Sequence, residues 1–297
     1  MYYKMPSKTK QPTIAITGAG GFLGSTLVEH FSALGWNVIG LVRKPADYTH
    51  THATFRKYDL TGKLDPRVLD GVDYLVHAAY IKYDREHPDA MDLNFAGAKR
   101  LLELSRKKNL QKNIFISSMS SHEAALSVYG KQKLAIEQLF SESTDVVLRC
   151  GLIIGKGGIV KQMADFMRTK HAVPLIGGGK QPLQIVAVTD LAAVIEKTAT
   201  SKLHGTFTIA TPQVYSYKEF YEALARAIRT KVIFVPLPFN LLLAAFKTAA
   251  ALRLPLGVGE DNLLGLKALR SAETAADLKK IGVRLSSLEE ALARTKP

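Results

Sequence analysis

The stretch from Thr13 to Gly24 restricts this chain more than any other. Thr13-Ile14-Ala15-Ile16-Thr17 is a short run rich in β-branched residues and reads as a strand. It leads straight into Gly18-Ala19-Gly20-Gly21-Phe22-Leu23-Gly24. Phe22 to Leu34 then recurs at helical spacing, with Gly35 as a stop. Glycines 18, 21 and 24 give the spacing G-x-x-G-x-x-G. The chain has to turn sharply at Gly18. A side chain at Gly21 would obstruct a pyrophosphate, and Gly24 would let the helix pack closely on the sheet. The start of that helix offers free N–H groups and a favourable dipole to an anion. A glycine string alone marks only a turn. Between a first strand and a helix it predicts dinucleotide binding, with Gly18, Gly20, Gly21, Phe22, Leu23 and Gly24 as contact residues.

The pattern behind the loop supports a parallel sheet. Strands are expected at Asn37 to Val42, Ala53 to Tyr58, Tyr74 to His77, Asn113 to Ser117 and Val146 to Arg149. Helices are expected from about Asp89 to Lys108 and from about Ser127 to Ser141. Buried apolar runs alternating with helices imply a sheet covered on both faces. The expected fold class is α/β: a Rossmann-type doubly wound parallel sheet with a smaller, mostly helical C-terminal substrate lobe. Residues 1–150 would form the dinucleotide-binding domain and 151–297 the substrate-binding lobe, interleaved with it. In the lobe, helices are expected over Asp190 to Thr200, Tyr217 to Arg229, Phe239 to Leu252 and from Leu288, with Asp190 as a helix cap. Packing within the lobe is the first reading of Phe239 to Leu252. Covering the cleft, pairing with another subunit and lying on a membrane stay open.

The end of the second expected strand bears on the cofactor. A carboxylate there would hold an adenosine ribose 2′-OH and repel a 2′-phosphate. This chain has Leu41-Val42-Arg43-Lys44 instead. A guanidinium grips a phosphate bidentately, so NADP is favoured over NAD. The alternative is that Arg43 is simply an exposed loop residue.

Tyr129 and Lys133 open a predicted helix four residues apart, so both project from one face. A phenol with its ordinary pKa of about 10 is a poor base near neutrality. A neighbouring ammonium favours the phenolate, which could then take a proton from an alcohol as hydride leaves. Ser118, at the end of the fifth strand, could donate to the substrate oxygen. A Tyr-x-x-x-Lys pair is common by chance. Its weight here comes from order: glycine loop on the first strand, Ser-Ser ending the fifth, Tyr-Lys opening the next helix.

With these motifs the chain resembles the short-chain dehydrogenase/reductase superfamily, and within it the extended or atypical members of the NAD(P)-dependent epimerase/dehydratase family. The likeness runs through Thr17 to Gly24, His77-Ala78-Ala79, Ser117-Ser118-Met119, Tyr129 to Lys133, Arg149 to Gly155 and Val188-Thr189-Asp190. It implies Ser118 as polariser, Tyr129 as acid/base and Lys133 as its partner, also binding the nicotinamide ribose. It implies Asp59 and Leu60 near the adenine, and His77, Ala78 and Ala79 along the cofactor. It implies Asn94 as a residue that orders the site. Ser118 and Tyr129 stand closer in sequence than in many sugar epimerases. Cys150 replaces a usual proline. No acidic dyad follows Ser118, which argues against a 4,6-dehydratase.

Forty Lys and Arg against 26 Asp and Glu give a formal net charge of +14. That suits an anionic small-molecule substrate, and no zinc-finger or RNA-binding signature points to nucleic acid. The eight histidines show no paired metal spacing. One cysteine excludes an internal disulfide and agrees with a reducing compartment. Met1 to Lys10 carries no apolar signal-peptide region, and no apolar run is long enough to span a bilayer. The expectation is a cytoplasmic enzyme, with peripheral membrane contact and a homodimer left open. The function expected is an NAD(P)-dependent oxidoreductase or epimerase on a nucleotide-linked sugar. The alternatives are an NADPH-dependent reductase of a small or lipid-like carbonyl, and a non-catalytic dinucleotide-binding sensor or scaffold.

Overall fold

The computed structural model describes residues 11–83, 86–240, 242 and 260–295. The chain opens with β1 (Thr13–Thr17), α1 (Phe22–Ala33), β2 (Asn37–Val42), β3 (Ala53–Lys57) and β4 (Tyr74–His77). It continues with α2 (Ala90–Lys107), β5 (Lys112–Ser118), α3 (Val128–Glu137) and β6 (Asp145–Cys150). Next come β7 (Leu152–Ile154), α4 (Gly158–Lys170), β8 (Ala172–Ile176), β9 (Pro182–Leu183), β10 (Ile185–Ala187) and α5 (Val188–Thr200). Then follow β11 (Gly205–Ile209), β12 (Tyr215–Ser216), α6 (Tyr217–Ala227) and β13 (Ile233–Leu237). The last described helices are α7 (Glu260–Lys267), α8 (Ala275–Ile281) and α9 (Leu288–Thr295).

Seven strands form one sheet in the order β11-β6-β5-β4-β1-β2-β3, every pair parallel. Period-two alternation explains why both faces are covered. Ile14, Ile16, Val76, Ile114, Ile116, Val146 and Leu148 pack with Leu27, Phe31, Leu191 and Ile195 of α1 and α5. The alternate residues Ala15, Leu75, Phe115 and Val147 meet α2 and α3 on the other face. The chain reverses its direction of travel across the sheet between β1 and β4. Their carboxyl ends therefore border a crevice, where such sheets bind ligands.

Beyond Gly151 the structure is richer than the sequence pattern suggests. The helices expected over Asp190 to Thr200, Tyr217 to Arg229 and from Leu288 are present, together with three two-stranded sheets, β10-β7, β12-β9 and β13-β8. Strands of two to five residues carry too little periodicity to be read from sequence. With α4, α6 and α9 they enclose a second core around Val160, Met167, Leu175, Phe220 and Leu292. Between these elements the chain returns to the large sheet, where β11 extends it beside β6.

One expectation is corrected. Asp190 does not cap α5: the cap position is Ala187, and Asp190 sits in the first turn. Its carboxylate accepts the Ser286 N–H at 2.6 Å and pairs with Arg294 at 3.6 Å, tying the C-terminal strap to the helix start. The apolar segment Phe239 to Leu252 lies largely outside the described residues. Of it, the Phe239 ring sits 5.2 Å from the Lys267 Nζ. None of the described helices is long and apolar enough to cross a membrane.

Candidate active site

At the end of β1 the chain turns through Gly18, whose φ of +68° suits glycine. The fit around it is close. A Cβ on Gly18 would lie 3.1 Å from the Ala79 Cα, and one on Gly24 would lie 2.1 Å from the Gly18 carbonyl oxygen. Gly24 thus lets α1 seat on the glycine turn itself, rather than on the sheet as the sequence suggested. The space over Gly20 is filled by Tyr48, whose phenol oxygen lies 2.1 Å from where a Cβ would stand. Gly21 is the N-cap of α1, and no side chain caps that helix. Nothing on the helix's own side chains answers its first-turn N–H groups, so this cradle fits a dinucleotide phosphate. The Phe22 ring closes the loop from the far side, against Gly155, Gly157 and Gly158. Leu23 packs on the main core.

Thr17 and His77 end the two strands that flank the crevice. The Thr17 hydroxyl accepts the Ala78 and Ala79 N–H groups at 3.0 and 2.9 Å and lies 3.0 Å from the His77 Nδ1. With both acceptor sites used, its own proton goes to Nδ1, which fixes the Nε2–H tautomer of His77. The imidazole is 2 % exposed and stacks on Phe115. Burial first, and the Lys133 charge second, push its pKa down to about 3. His77 is therefore neutral, and together with Thr17 it fixes the Ala78-Ala79 backbone against the glycine turn.

On the β2 side, Arg43 and Lys44 are exposed. Asp59 accepts from the Thr61 N–H and hydroxyl, at 2.9 and 2.8 Å. The Thr61 N–H, together with the nearby charges of Arg43 and Lys57, holds its carboxyl below the usual range. Leu60 is buried, and Arg100 donates to its carbonyl at 2.7 Å. Tyr48 stacks on Phe55, centroids 5.3 Å apart.

On the other side of the crevice, α3 brings Tyr129 and Lys133 against the end of β5. The Lys133 Nζ donates to the Ile116 carbonyl at 2.8 Å and lies 5.8 Å from the centre of the Tyr129 ring. Tyr80 crosses Tyr129 edge to face at 5.3 Å. The Ser118 hydroxyl hydrogen-bonds to the Tyr129 phenol and accepts the Ser120 N–H at 3.1 Å. Behind them Arg149 makes a forked pair with Glu137, at 3.0 and 2.6 Å, and the Ser117 hydroxyl donates to the same carboxylate. Arg149 is thereby occupied within the protein.

The electrostatics differ from the sequence expectation. Burial pushes the Tyr129 phenol up to about 12, against a lowering from the Ser118 hydrogen bond and a smaller raising from Cys150. Burial also brings Lys133 down to about 8, opposed by Cys150 and Glu137. Desolvation is the largest effect on both groups.

Other side chains support these. Asn94, expected by resemblance, has an amide that accepts the Ile81 N–H and donates to the Ile81 and Ala90 carbonyls, all at 2.8 Å. Gln132 donates to the same Ala90 oxygen at 2.7 Å. Asp261 on α7 accepts the Val128 N–H at 2.5 Å and the Tyr129 N–H at 3.4 Å. His122, in the loop between Ser118 and Tyr129, meets the Ala268 carbonyl at 3.1 Å. No sequence signal marks the pairs of Gln132, Asp261 and His122, because their partners lie far along the chain. Among the described residues no cluster of three or more His, Cys, Asp or Glu is placed to hold a metal.

Similarity to known proteins fits this anatomy. The chain is 23% identical over 269 residues to the uncharacterized protein y4nG of Sinorhizobium fredii, covering 82% of this chain and 68% of that one. It is 31% identical over 154 residues to the ceramide reductase of Caulobacter vibrioides, covering 48% of this chain and 47% of that one. The chain spans about half to two thirds of the length of the curated relatives it matches. Among solved structures, the UDP-glucose 4-epimerase of Thermus thermophilus in complex with NAD superposes with a TM-score of 0.72 at 22% identity, covering 95% of this chain and 97% of that one. The model of the NAD dependent epimerase/dehydratase family matches residues 14–210, and the chain belongs to that family.

Proposed function

We propose that the protein is a nicotinamide-dependent oxidoreductase working on an alcohol–carbonyl pair, with Ser118, Tyr129 and Lys133 as its catalytic side chains. One observation carries this reading. Gly18 abuts Ala79, Tyr80 follows in sequence, and Tyr80 packs on Tyr129, so the phosphate cradle and the phenol share one crevice. A bound nicotinamide would supply or accept the hydride. The first turn of α1 would hold its pyrophosphate, and Arg43 with Lys44 a 2′-phosphate, which favours NADP.

The rest is done by the protein's own groups. A phenol pushed up to about 12 keeps its proton at neutral pH, so Tyr129 is set to donate to a carbonyl oxygen. Ser118 polarises that oxygen. Lys133 is cationic below about pH 8 and stabilises the phenolate left behind. This favours reduction as the working direction.

Two substrate classes have support. The nucleotide-linked sugar reading rests on the fold likeness to a UDP-glucose 4-epimerase and on the net charge of +14. The lipid-like carbonyl reading rests on the likeness to a ceramide reductase and on exposed apolar side chains close in sequence to Tyr80, Asn94 and Tyr129, namely Tyr83, Met91 and Leu126. The 31% identity to the reductase over 154 residues makes the apolar carbonyl our preferred substrate. NADPH consumption against a panel of long-chain ketones and UDP- or dTDP-sugars tests it. Turnover of ketones alone supports the preferred reading, and turnover of sugars alone replaces it. Tyr129→Phe should cut the rate on the order of a hundredfold or more while NADPH still binds. Full activity in that variant would remove Tyr129 from the chemistry.

A further inference from the structure

The outer face of the β8-β13 sheet is apolar, and its surroundings are cationic. The two strands pair in parallel register, with Ile233 opposite Ala172, Val235 opposite Pro174 and Leu237 opposite Ile176. Alternation sends Val173, Leu175 and Phe234 inward, where they pack in the second core. The opposite face is left with three cross-strand pairs, all apolar. Ile233 is 72 % exposed and Val235 42 %, and Pro174 is exposed as well. Isolated apolar residues on a surface need no explanation, but three neighbouring exposed ones flanked by the half-buried Ala172, Ile176 and Leu237 do.

The charge around the plate selects an occupant. Residues 166–181 and 226–240, which contain the two strands and their flanks, include no Asp or Glu. They include Lys170, Arg229 and Lys231, all exposed and without an ion-pair partner among the described residues. These cations gather at the start of both strands. There the Ile233 N–H donates to the His171 carbonyl at 2.9 Å, and the His171 ring meets the Lys231 carbonyl at 3.4 Å. An apolar plate with a cationic rim, on strand segments that carry no acidic residue, matches the headgroup and upper acyl region of an anionic bilayer. A second copy of this chain would bring the same positive rim against its own.

We propose that the outer face of the β8-β13 sheet docks this protein on the surface of anionic membranes. Ile233 and Val235 enter the acyl boundary, while Lys170, Arg229 and Lys231 face the lipid phosphates. The inference is independent of the proposed reaction, since none of these residues belongs to the catalytic crevice.

Co-sedimentation of the full chain with vesicles tests it. Vesicles of phosphatidylcholine containing about one third phosphatidylglycerol should bind the protein at low salt. Binding should fall in high salt, where screening shortens to about 3 Å. Ile233→Glu combined with Val235→Glu should lower partitioning on the order of tenfold or more. Lys170→Ala and Lys231→Ala should each lower it about fivefold at low salt. Circular dichroism and the melting temperature confirm that each variant is folded. Absence of vesicle binding, or binding unchanged in the double Glu variant, overturns the proposal. Equal binding to pure phosphatidylcholine removes the role of the cations and overturns it too. If the wild type is a dimer that the double Glu variant dissociates, and neither binds vesicles, the occupant is a second copy.

Discussion

Asp261 caps the helix of Tyr129 from 133 residues away: its carboxylate accepts the Val128 N–H at 2.5 Å. The first turn of α3 is thus shared between a local acceptor, the Ser127 hydroxyl holding the Gly130 N–H at 3.1 Å, and this distant one. Asp261→Ala should cost about 0.5–2 kcal/mol, the range of a lost N-cap. Asp261→Asn keeps an acceptor and should lose less. Denaturant unfolding measures both, and equal stability of all three proteins would show that the contact contributes nothing.

Thr17 and His77 make a prediction in acid. The His77 pKa of about 3 in the folded chain lies below the ordinary 6.5, so the unfolded chain binds its proton first. Stability is therefore full above pH 6.5 and falls as the pH drops from 6.5 towards 3, by at most about 1.4 kcal/mol for each pH unit crossed. His77→Asn should flatten this slope. Thr17→Val strips the acceptor from two backbone N–H groups and should cost on the order of 2 kcal/mol or more at neutral pH. Melting temperatures across pH 4 to 7 decide both. A wild type and a His77→Asn variant with the same acid slope would contradict the assignment.

Lys133 makes a prediction of the same sign in alkali. Its folded pKa of about 8 lies below the ordinary 10.5, so between those values the unfolded chain again holds the extra proton. Stability contributed by this group rises with pH through that window and is smallest below 8. Lys133→Met removes the buried charge, so its stability relative to wild type should be highest near pH 7 and decline towards pH 10. A difference independent of pH would mean that Lys133 titrates in the fold as it does in water.

The two glycines 20 and 24 should respond very differently to alanine. At Gly24 the new methyl meets backbone, 2.1 Å from the Gly18 oxygen and 2.7 Å from the Ala19 Cα, so α1 has to move. Gly24→Ala should cost about 1–3 kcal/mol and weaken cofactor binding. At Gly20 the methyl meets only the far end of Tyr48, an exposed side chain that can swing away. Gly20→Ala should stay close to wild type in stability. Equal losses in both variants would show that the Tyr48 loop is as fixed as the backbone.

What the residues themselves disclosed was local. β1, the glycine turn and α1 were legible because β-branched residues, a required positive φ at Gly18 and a 3.6-residue repeat each leave a mark within a dozen positions. The parallel sheet followed from repeating that alternation, and β4 was read to the residue. Tyr129 and Lys133 were paired because four residues make one turn of helix.

The tertiary structure decided what depends on distance. It placed β11 beside β6, gave Asp190 to Ser286 rather than to its own helix, and set Asp261 against α3. It also buried Tyr129, and the loss of water pushes its phenol up to about 12. A charge partner four residues away is visible in a sequence. The removal of water by side chains drawn from the whole chain is not, and in this crevice that desolvation is the larger effect.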